Sequence, residues 1–159
     1  MKKLILLGAF MCLSIVNATA QEVYKEILRL SEDLANNEKK SLELRRIAQF
    51  KVEELNYMAM KTKELMPDSL VSVLDYQAYA MYEYVNLFLN KLTRAKKKKD
   101  KAKVLALFKE ASLANPRFND MDQGVTMSYC DNGLYLTQFS LDTDWVKALA
   151  FVRTRMRAE

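Results

Sequence analysis

Apolar side chains recur along most of this chain at the three- and four-residue spacing that is typical of amphipathic helices. The first such stripe predicts a helix over residues 22–35. A second stripe predicts a helix over residues 41–66, with Glu53 and Glu54 outside its apolar arc. Pro67 ends this helix, because the residue before a proline is disfavoured in the helical conformation.

The third predicted helix is the most apolar segment of the chain and extends to Arg94, with Asp68 or Ser69 as its N-cap. Its apolar arc covers about 220° of the helical wheel, which is wider than one buried stripe requires. We therefore expect this helix to pack on several neighbours at the centre of the fold. Gln77 falls within the apolar arc and needs a hydrogen-bond partner there.

A run of basic residues over 94–103 separates the third predicted helix from the fourth. An unbroken helix over residues 68–115 would be about 70 Å long, too long for a domain of this size. We therefore expect a turn, after which Asp100 caps a fourth helix that extends to Ala114. A last helix is expected to start near residues 142–144, where acidic side chains favour a helix N-terminus.

The segment over residues 117–141 has two interpretations. In the first, Asp120 is the N-cap of a helix and Gly133 follows its C-terminus. In the second, residues 125–130 and 134–139 alternate between apolar and polar side chains around an Asn132-Gly133 turn, which is typical of a β-hairpin. The helical interpretation is preferred, and the hairpin remains open.

Composition supports a helical fold, because the chain has only 3 Gly and 2 Pro and therefore few of the residues that turn-rich β folds need. The predicted fold is all-α: a single-domain antiparallel helical bundle of about five main helices, with a possible small hairpin near residues 125–139. Residues 21–159 would form this domain.

The first 20 residues resemble a removable export signal, which would precede that domain. Lys2 and Lys3 form a positive start, an apolar stretch covers residues 4–16, and Ala18 and Ala20 occupy the small-residue positions of a cleavage site. Cleavage after Ala20 would deliver the protein to the periplasm or the exterior. No later segment is long and apolar enough to predict a transmembrane helix.

The absence of histidine excludes Ser-His-Asp triads, Cys-His dyads and histidine-containing metal sites. Cys130 is the single cysteine left after cleavage, so no intrachain disulfide is expected, and the thiol is predicted to be inert and partly buried. Five aspartates lie over residues 120–144, but their spacing does not match a calcium-binding loop, and helix capping explains them better. We expect no metal and no cofactor.

Two candidate binding features remain. The first is the basic run, which could bind anionic lipid or lipopolysaccharide headgroups; its lysines are Lys96, Lys97, Lys98, Lys99, Lys101 and Lys103. Nucleic acid is not expected for an exported protein. The second is Tyr76, Tyr79 and Glu83 on the third helix, where tyrosines beside a carboxylate could bind a sugar or support acid–base chemistry.

By elimination, the expected function is that of an exported, non-enzymatic helical binding or interaction protein of the bacterial envelope. Its basic and acidic segments would suit a protein partner or self-association. A periplasmic chaperone-like protein is one alternative. The other is a small carboxylate-based enzyme that acts on envelope polysaccharide, and a deep pocket joining Glu83 to a second acid would favour it.

Overall fold

The structure is a computed structural model that describes residues 23–68 and 71–158, without the side chain of Val71. Within these residues it contains six helices and no strand, so the prediction of an all-α helical bundle is confirmed. The helices are α1 (Val23–Ala35), α2 (Leu42–Leu65), α3 (Val71–Arg94), α4 (Lys98–Leu113), α5 (Gln123–Thr126) and α6 (Trp145–Arg157). The predicted export signal lies outside the described residues.

Local signals explain most of the helix ends. The Ser41 side chain accepts a hydrogen bond from the Leu44 backbone N–H and caps α2, and α2 ends just before Pro67 as predicted. Asp144 caps α6 in the same way, with its Oδ1 atom 3.2 Å from the Lys147 nitrogen. For α3, Asp68 lies in a turn and Ser69 lies outside the described residues.

The predicted N-cap of α4 is wrong. Lys97 occupies the N-cap position without a side-chain cap, and Asp100 lies inside the first turn of the helix. The three-residue shift has a clear electrostatic cost, because lysines precede and enter the positive end of the helix. The turn between α3 and α4 is where it was expected.

Helix α3 lies at the centre of the bundle, as its wide apolar arc predicted. It contacts α1, α2, α4 and α6. Its fully buried side chains are Ala78, Met81, Tyr84, Val85 and Phe88. Gln77 of α3 contacts Asp144 and Glu83 contacts Arg153, so α6 lies along α3.

Aromatic rings fill the core between these helices. Phe139 makes ring contacts with Phe50, Tyr84, Phe88 and Trp145, at centroid distances of 5.2–6.3 Å. The angles between the ring planes are 73–83°, which is the edge-to-face arrangement that aromatic pairs prefer. Phe139 comes from the connection between α5 and α6, so this connection is part of the core.

The connection over residues 114–144 corrects both sequence interpretations. Its only helix among the described residues is the four-residue α5, capped by Asp122 rather than Asp120, and residues 125–139 form no hairpin. Asn132 and Gly133 do form a turn, closed by a hydrogen bond from Tyr135 N to Asn132 O at 3.1 Å. The segment needs no regular ladder, because Asp142 and other side chains satisfy much of its backbone.

Candidate functional site: the basic end of the bundle

The basic run lies where α3 ends and α4 begins. Arg94 is the last residue of α3, residues 95–97 form the turn, and the remaining lysines occupy the first turns of α4. All six predicted binding lysines are exposed: Lys96, Lys97, Lys98, Lys99, Lys101 and Lys103. Within residues 23–68 and 71–158 none of them forms an ion pair.

The N-terminus of α4 strengthens this positive charge. The first backbone N–H groups of a helix carry the positive end of its dipole, and Lys97 offers them no side-chain cap. Acidic side chains usually occupy this position, yet only Asp100 does so here. Four lysines near a helix N-terminus weaken the helix, so stability does not explain their presence.

The α1–α2 turn, which carries Lys39 and Lys40, lies at the same end of the bundle. Lys51 of α2 lies over the ring of Tyr82 of α3, with its Nζ atom 4.8 Å from the ring centroid. Leu42 and Lys91 are each nine residues from this contact, which is about 14 Å along either helix. Since a short connection joins α2 to α3 and reverses the chain, the start of α2 lies level with the last turn of α3.

The register of α3 and α4 places the lysine run beyond that level. The rings of Phe88 and Phe108 are 5.3 Å apart, and Arg94 and Ala102 are each six residues from this contact. We use the term basic end for ten cations that this geometry collects: Lys39, Lys40, Lys91, Arg94, Lys96, Lys97, Lys98, Lys99, Lys101 and Lys103. None of the ten forms an ion pair with any residue that the structure describes.

The opposite end of the bundle has its charges paired. Asp120 accepts a hydrogen bond from the Tyr57 hydroxyl at 2.9 Å and forms an ion pair with Lys61 at 3.0 Å. A hydrogen bond from the Asp122 backbone N–H, followed by the contact with Lys61, lowers the pKa of the Asp120 carboxyl. This end therefore offers little free charge to a partner.

The remaining aspartates of the 120–144 segment make contacts within the fold. Asp122 and Asp144 cap helices, Asp131 pairs with Lys109, and Asp142 accepts three backbone hydrogen bonds. In the part of the chain that the structure describes, no three Cys, Asp or Glu side chains converge to form a metal site.

The structure does not bring the second predicted feature, the two tyrosines and the carboxylate of the third helix, together with the basic end or with a second acidic side chain. Tyr76 and Tyr79 are exposed by 69% and 47%, and the carboxylate of Glu83 accepts a hydrogen bond from Arg153 at 3.2 Å. A depression of about 620 Å³ lies elsewhere, between α1 and α2, and its lining includes Glu32, Asn36 and Gln49. Glu83 does not line this depression.

Two buried charged groups escaped the sequence analysis. Glu54 was expected outside the apolar arc of its helix, but its side chain is fully buried and accepts a hydrogen bond from Trp145 Nε1 at 2.7 Å. Burial raises the pKa of Glu54 well above its ordinary value, and the nearby Asp142 carboxylate adds to the rise, while the Trp145 hydrogen bond opposes it. The sequence carried no signal for this contact, since Glu54 borders the arc and Trp145 lies 91 residues away.

Lys51 is the second buried group. Its side chain has 8% exposure and contacts the Tyr82 ring, and burial lowers its pKa to about 8. The helical pattern does place Lys51 on the buried face of α2, between Phe50 and Leu55, so its burial could have been read from the sequence.

Two further predicted positions have structural roles. Gln77 is buried and finds its partners at the start of α6, where it donates to Asp144 Oδ1 and accepts from the Trp145 backbone N–H. Cys130 is buried, and burial raises the pKa of its thiol to about 11, so the thiol stays protonated at neutral pH.

Across residues 23–68 and 71–158, no helix combines the length and apolar character needed to cross a bilayer. No protein-family model matches the chain, and comparisons with curated proteins and with solved structures find no similar protein.

Proposed function

We propose that this chain is an exported, non-enzymatic binding protein of the bacterial envelope that attaches to a phosphate-bearing partner through its basic end. The observation that carries the proposal is that ten cations share one end of the bundle while none has an ion-pair partner among the described residues. A partner with dense negative charge would supply the missing counter-charges.

Physical chemistry favours an external partner over a structural role. Neighbouring lysines repel each other at helical spacing, and their repulsion adds to that of the α4 dipole. A negatively charged surface relieves both effects and contributes about 1 kcal/mol for each Lys or Arg close to it. The interaction is electrostatic between exposed groups, so salt weakens it.

The enzyme alternative has less support. Its candidate carboxylate, Glu83, is held by Arg153 rather than facing a second acid, and its two tyrosines point to solvent. A chaperone-like protein would need a continuous apolar surface. Of the exposed apolar residues, Met121 and Leu134 do not share one surface, because their segments contact α2 near Tyr57 and Arg46, about 16 Å apart along the helix.

Inorganic polyphosphate is a suitable probe of the basic end. We expect the protein to bind it at low salt and to lose it at high salt, and we expect the double variant Lys98→Gln/Lys99→Gln to bind about thirtyfold more weakly. The matched control is Lys25→Gln/Lys63→Gln, which removes the same charge from exposed positions on α1 and α2 away from the basic end. Equal weakening in both double variants, or binding insensitive to salt, would contradict the proposal.

Export is tested separately, because it rests on residues 1–20. Intact mass of the protein recovered from the periplasm is expected to correspond to a chain beginning at Gln21. A mass that retains residues 1–20, or a lipid on Cys12, would contradict cleavage after Ala20.

A further inference from the structure

Leu42 adds an exposed apolar side chain to the basic end. It lies in the first turn of α2, directly after the turn that carries Lys39 and Lys40, and it is 58% exposed. Side chains of an α-helix tilt towards its N-terminus, so Leu42 leans towards this end of the bundle rather than towards the middle. Core packing does not require a leucine at this position, since Leu42 is not part of the buried cluster.

The cations of the basic end are spread over two separate turns. Lys39 and Lys40 belong to the α1–α2 turn, and the lysine run covers the α3–α4 turn and the first turns of α4. Together these turns cover a broad end face instead of lining a groove along one helix. An extended planar surface of negative charge can contact both turns at once, whereas a small anion can contact only one of them.

The other end of the molecule offers such a surface little unpaired positive charge, because Lys61 is paired there with Glu64 and Asp120. Met121, the most exposed apolar residue described, lies there between Asp120 and Asp122, and Asp68 is exposed nearby in the turn before α3. Unpaired lysines with an apolar side chain at one end, and largely paired charges at the other, give the bundle a preferred orientation on an anionic surface.

We propose that the basic end docks on an anionic phospholipid bilayer, with the bundle standing on its α1–α2 and α3–α4 turns and Leu42 entering the headgroup region. This inference rests on the proposed function and names the surface. Peripheral proteins bind membranes reversibly by combining two contacts. Their cations bind anionic headgroups, and an apolar side chain beside these cations enters the interface.

Site-specific fluorescent labels test the orientation. In the chain that begins at Gln21, which lacks Cys12, the variants Leu42→Cys and Met121→Cys each receive an environment-sensitive label, while Cys130 is too buried to react. On vesicles of mixed phosphatidylglycerol and phosphatidylcholine, the label at position 42 is expected to shift to the emission of an apolar environment. The label at position 121 is expected to keep its aqueous emission, and neither label should shift on pure phosphatidylcholine.

A second pair of variants separates the bilayer from a soluble polyanion. Leu42→Ser is expected to weaken vesicle binding about fivefold and to leave polyphosphate binding unchanged, while Met121→Ser changes neither. If the protein binds polyphosphate but not anionic vesicles, or if both labels or neither label shift on the vesicles, bilayer docking is wrong while the proposed function stands. Loss of binding to both probes in the unaltered chain would overturn both proposals.

Discussion

The side chains of Glu54 and Trp145 meet inside the aromatic core, where the indole Nε1 donates a hydrogen bond to Glu54 Oε1 at 2.7 Å. Both side chains are fully buried, and the second carboxyl oxygen of Glu54 has no hydrogen-bond partner among the described residues. A buried carboxylate with a single hydrogen bond is costly, so the group keeps its proton well above the pH at which an exposed glutamate loses it.

Replacing Glu54 by Gln is therefore expected to stabilise the protein at pH 7 by about 1–3 kcal/mol. Gln keeps the oxygen that accepts from Trp145 and cannot ionise. The pKa of Glu54 is raised in the folded protein. At pH values above the ordinary glutamate pKa of about 4.5, the unfolded state has therefore released a proton that the folded state retains. Stability then falls as the pH rises, by up to about 1.4 kcal/mol per pH unit.

Urea unfolding between pH 5 and 7.5, followed by Trp145 fluorescence, measures this effect. The unaltered protein should lose stability over this range more steeply than the Glu54→Gln variant. Glu43→Gln removes an exposed carboxylate from the same helix and is expected to leave the slope unchanged. Parallel pH profiles for the protein and its Glu54→Gln variant would refute the assignment.

Some parts of this structure could be predicted from the sequence, and others could not. The helices followed from periodicity, and the ends of α2 and α6 followed from Ser41, Pro67 and Asp144, because these signals act within a few residues. The exposure of the lysine run was predictable for the same reason, since adjacent like charges remain in water. The collection of ten cations at one end required the register of α2 against α3, which no local pattern contains.

The connection before α6 and the burial of Glu54 could not be predicted, and the reason is shared. Asp142 holds the backbone of residues 117–120 across more than 20 positions of sequence, and Trp145 holds Glu54 across 91 positions. Local alternation at residues 125–139 suggested a hairpin, but several of those backbone N–H groups bond to carbonyls three or four residues earlier. Arg46 and Lys109 reach the carbonyls of Leu134 and Cys130 from other helices.

Lys51→Met is expected to stabilise the protein at neutral pH, with an advantage that shrinks as the pH rises. Burial lowers the pKa of Lys51 to about 8, from an ordinary value of about 10.5. At pH values between these two pKa values, the unfolded state holds a proton that the folded state has released. The stability of the unaltered protein therefore rises with pH relative to that of the variant. The difference should fall by about 1–2 kcal/mol between pH 7.5 and 9.5.

Chemical unfolding of both proteins at these two pH values provides the measurement. The comparison cancels the titration of tyrosines and of Cys130, which are present in both chains. Lys63→Met removes an exposed lysine from the same helix and should show no such change with pH. A constant difference between the Lys51→Met variant and the unaltered protein would show that Lys51 is not desolvated.

Gln77→Met is expected to destabilise the protein by about 1–3 kcal/mol, because the methionine leaves the backbone N–H of Trp145 without its acceptor. The variant also removes the donor to Asp144 Oδ1, which then retains the Lys147 N–H. Thermal unfolding measures the loss. Gln49→Met, at an exposed position of α2, should change the stability by less than about 0.5 kcal/mol. Equal effects of the two substitutions would contradict the capping role of Gln77.

Asp142→Asn tests how the connection before α6 is held in place. Asp142 Oδ1 accepts from the backbone N–H groups of Arg117 and Phe118, at 3.1 and 2.7 Å, and Oδ2 accepts from that of Asp120 at 2.9 Å. Asparagine has the same shape, but its NH₂ group would face at least one backbone N–H donor. Because the side chain is buried, we expect a loss of about 1.5–3 kcal/mol in the free energy of unfolding.

The same substitution at Asp131 provides the control. Asp131→Asn breaks an ion pair with Lys109 of 3.4 Å, but the Asp131 side chain is 81% exposed and such pairs contribute about 0–1 kcal/mol. Amide hydrogen exchange should locate the difference, with protection lost at residues 117–120 in Asp142→Asn and retained in Asp131→Asn. Unchanged protection at residues 117–120 in the Asp142→Asn variant would mean that packing of Phe118 against Tyr57, rather than the carboxylate, fixes the segment.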